Sequence, residues 1–135
     1  MPRNLYSLFT GKNILIVDDS DMNNSVIKAI LERYGVKVLV ALDGADAVRK
    51  FTDSENFSIS AVLMDITMPV MDGYDAAKKI RALDRPDSAS VPIIAVTASV
   101  EPCDKSKIFE CGMTDFLTKP IVPDALLDMV GRSLK

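Results

Sequence analysis

A chain of 135 residues, 48% of them apolar, is long enough for one domain with a real core and too apolar to be disordered. Its net charge of −3, with no basic cluster, argues against nucleic-acid binding through this domain. It contains no histidine and two cysteines, which excludes Ser-His-Asp and Cys-His catalysis and zinc sites, and leaves oxygen ligands for a hard cation such as Mg²⁺.

Residues 1–11 read as a lead-in that closes at Gly11-Lys12, and residues 12–135 as the domain proper. Ile14–Val17 is the first strand. Ser20 or Asp21 caps a helix whose apolar residues Met22, Val26, Ile27, Ile30 and Tyr34 keep helical spacing until Gly35 ends it. Val36–Ala41 is short and β-branched, so a second strand. Asp43 caps a helix with Ala47, Val48 and Phe51 inward, and Asp53–Asn56 is a polar loop. Ile59–Met64 is the third strand. Asp72 caps a helix with Tyr74, Ala77, Ile80 and Leu83 inward. Asp84–Ser90 has a linker's composition but is short enough to be a loop. Val91–Val96 is the fourth strand and ends at Thr97; Glu101–Cys111 is a helix stopped by Gly112. Thr114–Leu117 is a short fifth strand leading to Thr118-Lys119-Pro120. Pro123 or Asp124 opens a last helix with Leu126, Leu127, Val130 and Leu134 inward. Five strands alternating with five helices predict an α/β fold: a parallel sheet, helices on both faces, right-handed crossovers.

In such a sheet the C-terminal strand ends share one edge, and ligands bind outside it. That edge collects Asp18 and Asp19 from the first strand, Asp65 from the third, Thr97 from the fourth and Lys119 from the fifth. Three carboxylates within about 5 Å repel by roughly 3 kcal/mol per pair at an effective dielectric of about 20, so a lysine or a cation must neutralise them. Lys119 supplies one charge, and a divalent ion supplies the rest. Mg²⁺ favours a couple of carboxylates, waters and phosphate oxygens, so the pocket suits Mg²⁺ with a phosphoryl group. A carboxylate can act as the nucleophile and form an aspartyl phosphate. A cation, a lysine and a hydroxyl then stabilise the charge spread over the phosphoryl oxygens, and Mg²⁺, Lys119 and Thr97 match those roles. Taken singly each residue has a plainer reading: a helix cap for Asp18-Asp19, a turn acid for Asp65, a strand end for Thr97, a solvated Lys119. Their order along four strand ends favours one joint site.

At these residues the chain resembles the receiver domains of two-component response regulators. The resemblance rests on Ile14-Leu15-Ile16-Val17-Asp18-Asp19-Ser20, on Val62 through Gly73, on Pro92-Ile93-Ile94-Ala95-Val96-Thr97-Ala98 and on Gly112 through Pro120. It implies a flavodoxin-like, doubly wound, five-stranded sheet in the order 2-1-3-4-5. It further implies Asp65 as phosphoacceptor, and Mg²⁺ held by Asp19 directly, by Asp18 at least through water, by Asp65 and by the Thr67 carbonyl. Thr97 and Lys119 would hold the phosphoryl oxygens, Lys119-Pro120 would be a cis peptide, and Thr97 and Phe116 would form the switch. Thr67 and Ser99 stand where the family tunes the lifetime of its phosphate. The donor would be a sensor histidine kinase or a histidine phosphotransfer domain. Phosphorylation would change partner binding on the face built from Glu101–Cys111, the fifth strand and the last helix, with dimerisation through the last helices as a further expectation. Leu8-Phe9-Thr10-Gly11-Lys12-Asn13 and the Gly112–Pro120 stretch are similar to receivers of hybrid histidine kinases, so the expectation is either a stand-alone receiver or one attached to such a kinase, with no DNA-binding output domain.

The rival readings separate on single positions. A Mg²⁺-dependent phosphatase of the haloacid dehalogenase type needs a second acid two residues after its nucleophile, and here that residue is Thr67. A flavin or nucleotide module needs a glycine- or hydroxyl-rich loop after the first strand, where this chain has Asp18-Asp19-Ser20. A receiver that only binds partners would not need all five rim residues. The short apolar runs predict no membrane contact, and the N-terminus lacks a signal peptide's apolar region. Cys103 and Cys111, eight apart on one helix, read as free thiols. A cytoplasmic location is expected.

Overall fold

Residues 5–68, 70–98 and 102–134 are described by the computed structural model. The elements in chain order are α1 (Leu5–Phe9), β1 (Asn13–Val17), α2 (Asp21–Glu32), β2 (Lys37–Ala41), α3 (Gly44–Asp53), β3 (Ile59–Asp65), α4 (Gly73–Ala82), β4 (Ile93–Thr97), α5 (Pro102–Glu110), β5 (Asp115–Thr118) and α6 (Pro123–Ser133). The five strands are parallel, as their alternation with helices predicts, and ordered β2-β1-β3-β4-β5, the doubly wound order that the resemblance implies.

Alternation along the central strands divides the core into two layers, because successive side chains leave a strand on opposite faces. Leu15, Val17, Val62, Met64, Ile93 and Ala95 pack with Ala47 and Phe51 of α3, Ala77 and Ile80 of α4, and Ile108 of α5. Ile14, Ile16, Ala61, Leu63, Ile94 and Val96 pack with Phe9 of α1, Ile27 and Leu31 of α2, and Leu126, Leu127 and Val130 of α6. Both faces are covered, so β1, β3 and β4 read as continuous apolar runs, as buried parallel strands do.

Three helices begin at side-chain caps. Ser20, Asp43 and Asp72 accept the N–H groups of Asn23, Asp46 and Asp75. α6 instead starts with Pro123 in its first turn and has no side-chain cap. Gly35 (φ 82°) and Gly112 (φ 98°) follow α2 and α5 in the left-handed region, where glycine carries no Cβ penalty.

The structure departs from the expected pattern in places. Leu5–Phe9 in the lead-in is helical, and Phe9 is buried with its ring 5.9 Å from Tyr34. Met22 and Val26, two of the apolar residues that keep helical spacing on α2, are 76% and 47% exposed. The inward stripe of α2 is Asn24, Ile27 and Leu31. Strand ends differ by a residue or two: β2 begins at Lys37, β4 at Ile93 and β5 at Asp115. Glu101, expected in α5, and the side chain of Cys103 lie outside the described residues; Cys111 is a buried free thiol. Among the described residues no helix is long and apolar enough to cross a membrane.

The 84–90 loop does more than connect. Arg85 donates to Asp87 Oδ1 at 2.8 Å and Oδ2 at 3.0 Å, and to the carbonyls of Phe51 and Thr52 in the last turn of α3 and of Ser54 and Glu55 just after it. Its guanidinium lies 4.5 Å from the Phe51 ring centroid. Asp87 also accepts the Phe57 N–H at 2.8 Å. One buried ion pair therefore joins the 84–90 loop to the end of α3 and the loop that follows it, at the rim opposite the acidic strand ends.

Candidate functional site

Register brings the polar strand ends together. Val17 pairs with Met64, Asp65 with Val96, and Thr97 with Thr118, so the residues after β1, β3, β4 and β5 emerge side by side. Carboxylate oxygens of Asp18, Asp19 and Asp65 lie within 4.8 Å of one another. Asp18 and Asp65 are only 4% and 6% exposed, whereas Asp19 faces solvent. Lys119 Nζ stands 3.3 Å from Asp18 Oδ2 and 3.5 Å from Asp65 Oδ2. Its backbone N–H donates to the Thr97 carbonyl at 2.7 Å, and Lys119-Pro120 is cis, as the resemblance implied. A cleft of about 430 Å³ opens beside this cluster, lined by Asp65, Ile66, Thr67, Tyr74, Thr97, Ala98 and Lys119.

The backbone around Asp65 tolerates little. Gly73 N–H donates to the Ile66 carbonyl at 2.8 Å, and a Cβ at Gly73 would stand 2.4 Å from the Asp65 carbonyl oxygen. The turn after β3 can therefore fold back this tightly only with glycine there. Val70 in the same turn has φ 69°, a strained conformation for a β-branched residue.

The electrostatics follow from burial. Desolvation raises the Asp65 pKa above the ordinary 3.8, and the neighbouring Asp18 charge raises it further. The Lys119 charge and the Thr67 backbone N–H work in the opposite direction and only partly offset these effects. Three oxygen donors with one lysine between two of them form an under-neutralised cup. That donor set fits a hard divalent cation better than a soft one.

Asp18, Asp19, Asp65, Thr67, Thr97 and Lys119 thus meet at one rim, as the sequence suggested. Phe116 does not line the cleft. It is half-buried on β5, packed against the core, with Lys105 Nζ 5.7 Å from its ring centroid. Ser99 lies outside the described residues. Two asparagines that were not singled out also reach the site. Asn23 Nδ2 donates to Asp18 Oδ2 at 3.2 Å, and Asn24 Nδ2 to the Asp18 carbonyl at 2.8 Å. A signal was present: Asn24, Ile27 and Leu31 keep helical spacing, so a polar residue stood in the inward stripe.

The family model described as the response regulator receiver domain matches residues 14–131. Hybrid signal transduction histidine kinase I of Dictyostelium discoideum is 36% identical over 125 residues, which cover 91% of this chain and 7% of that protein. Sensor histidine kinase CheAY of Helicobacter pylori is 34% identical over 122 residues, covering 90% of this chain and 15% of that protein. The chain thus spans a small part of the curated relatives it matches. Among solved structures, the receiver domain of a Pseudomonas aeruginosa sensor histidine kinase, with a magnesium ion coordinated in its active-site cleft, aligns with a TM-score of 0.82 and 37% identity, covering 93% of this chain and 98% of that one. A chain of the co-crystal structure of the Saccharomyces cerevisiae histidine phosphotransfer protein Ypd1 with the receiver domain of Ssk1 aligns with a TM-score of 0.81 and 32% identity, covering 91% of this chain and 88% of that one.

Proposed function

The chain belongs to the response regulator receiver domain family of two-component signalling, and on that premise we propose that Asp65 is its phosphoacceptor. The observation that carries this reading is the single ammonium of Lys119 within 3.5 Å of two buried carboxylates, Asp18 and Asp65, at the mouth of the Thr97 cleft. Asp65 is the member of the cluster that lines the cleft, so it is the carboxylate that an entering phosphoryl group meets.

Asp18, Asp19, Asp65 and the Thr67 carbonyl would hold Mg²⁺, with Asp18 acting at least through water. Such a cation, when bound, neutralises charge on the cup and on the transferring group. An Asp65 carboxylate oxygen attacks the phosphorus of a phosphohistidine. The new O–P bond forms as the P–N bond breaks, and the departing imidazole nitrogen takes its proton from solvent. Lys119 leaves the two carboxylates for a phosphoryl oxygen, and the Thr97 hydroxyl donates to another. Water later attacks the phosphorus of the acyl phosphate, the Asp65 O–P bond breaks, and inorganic phosphate leaves as the carboxylate is restored.

Phosphorylation moves Thr97 towards the phosphate and lets Phe116 turn inward. The face formed by α5, β5 and α6 then shifts between two populations with different partner affinity. The donor is a sensor histidine kinase or a histidine phosphotransfer domain, and the exposed Met22 and Val26 on α2, close in sequence to the acid pair, offer it an apolar contact. The buried free thiol of Cys111 suits a reducing, cytoplasmic setting. Thr67, standing where a dehalogenase-type phosphatase carries its second acid, supplies no carboxyl proton for turnover.

The test is incubation with Mg²⁺ and acetyl phosphate. Wild type gains an acid-stable, base-labile phosphate, and Asp65→Asn gains none. Equal labelling of both proteins would end this reading.

A further inference from the structure

The start of α2 grips Asp18 at three points. Ser20 N–H donates to Oδ1 at 2.9 Å, Asn23 Nδ2 to Oδ2 at 3.2 Å, and Asn24 Nδ2 to the backbone carbonyl at 2.8 Å. The Asn23 amide can face Asp18 in one sense only, because the reverse would set its oxygen against a carboxylate. Asn24 is 4% exposed, and its Oδ1 is buried without a hydrogen-bond partner. An unsatisfied buried acceptor is destabilising, because it has given up its hydrogen bonds to water. A leucine there would extend the Ile27–Leu31 stripe without that cost. What the asparagine adds is its hold on the Asp18 carbonyl.

Asp18 Oδ2 has two donors of different kinds. Lys119 is charged and shared with Asp65, and in the reading above it leaves for a phosphoryl oxygen. Asn23 is neutral, so an incoming anion does not draw it away. A neutral donor also fixes the direction of the carboxylate without cancelling its charge, so the cup keeps its attraction for a cation. A lysine or arginine in the same place would fill the cup itself.

We propose that Asn23 and Asn24 form a neutral clamp that presets Asp18 for a divalent cation, Asn23 on the carboxylate and Asn24 on the carbonyl. This rests on the Asp65 phosphoacceptor reading. Both are positioning residues and neither touches the phosphoryl group.

Calorimetric titration with MgCl₂, urea midpoints and the rate of acetyl phosphate labelling at saturating Mg²⁺ test it together. Asn23→Ala weakens Mg²⁺ binding on the order of 10-fold, the usual effect of losing a partner behind a ligand, yet labels at the wild-type rate once saturated. Asn24→Leu also weakens Mg²⁺ binding while keeping its urea midpoint near wild type. Asp43→Ala is the structural control. It removes the side-chain cap of α3 and lowers the midpoint, but keeps wild-type Mg²⁺ affinity because Asp43 holds the Asp46 N–H and not Asp18. Wild-type affinity in Asn23→Ala or Asn24→Leu, or an equal loss in Asp43→Ala, overturns the clamp. Wild-type protein that binds no Mg²⁺ overturns the phosphoacceptor reading beneath it and the clamp with it.

Discussion

Lys119 Nζ lies 3.5 Å from Asp65 Oδ2, and this contact keeps a largely buried carboxylate from being wholly uncompensated. The compensation is incomplete. Burial first, and Asp18 second, leave the Asp65 pKa raised even after the lysine has acted.

The raised value fixes a sign. The folded protein binds the Asp65 proton more tightly than the unfolded chain does, so stability falls as pH rises from about 3.9 through the folded pKa. At neutral pH the ionised Asp65 is a net destabilising group, Lys119 included. Asp65→Asn therefore has a higher urea midpoint than wild type at pH 7, and the gap closes in acid. Lys119→Met moves the other way at pH 7, because it removes the positive charge that offsets burial and Asp18. Equal midpoints for wild type and Asp65→Asn would refute this balance.

Asp87 carries the opposite sign. Its hydrogen bonds from Arg85 lower its pKa below 3.8, against the effect of burial. The stability it contributes is fully present above the unfolded carboxylate value and is lost as pH falls through the lower folded value. Arg85→Met strands Asp87 and the α3-end carbonyls and should cost roughly 3–5 kcal/mol at pH 7. Asp87→Asn differs from wild type at pH 7 but converges with it in strongly acid solution. Urea unfolding at several pH values measures both.

Gly44 reports how closely the turn after β3 is held. Its N–H donates to the Met71 carbonyl at 3.1 Å, and a Cβ there would stand 2.4 Å from that oxygen. Helix propensity favours alanine over glycine by up to about 1 kcal/mol, whereas forced overpacking costs about 1–3 kcal/mol. Gly44→Ala is accordingly destabilising, with a lower urea midpoint. A stabilised variant would mean that the turn yields freely.

Much of this was legible because the buried strands end abruptly on polar residues. Val17 gives way to Asp18-Asp19, and Met64 to Asp65, so the parallel topology alone placed the acids on one rim. The four strand ends needed only the sheet order to become neighbours. The start of α2 was less legible. Met22 and Val26 have helical spacing with Ile30, but the face actually buried runs through Asn24, and an apolar-only pattern passes over an asparagine. The Arg85–Asp87 staple was hidden for a similar reason. Its loop has a linker's composition, yet Asp87 and Ser88 are buried, and charged residues that pair only in three dimensions leave no periodic trace. The helix at Leu5–Phe9 is too short to show a period at all.

The central claim is that Asp65 itself carries the phosphoryl group. Borohydride reduces an acyl phosphate to the corresponding alcohol, which peptide mass spectrometry then locates along the chain. After treatment with acetyl phosphate and Mg²⁺, the account predicts reduction at Asp65 and at neither Asp18 nor Asp19. Reduction at either of those acids, or a labelled protein with Asp65 unreduced, would contradict it.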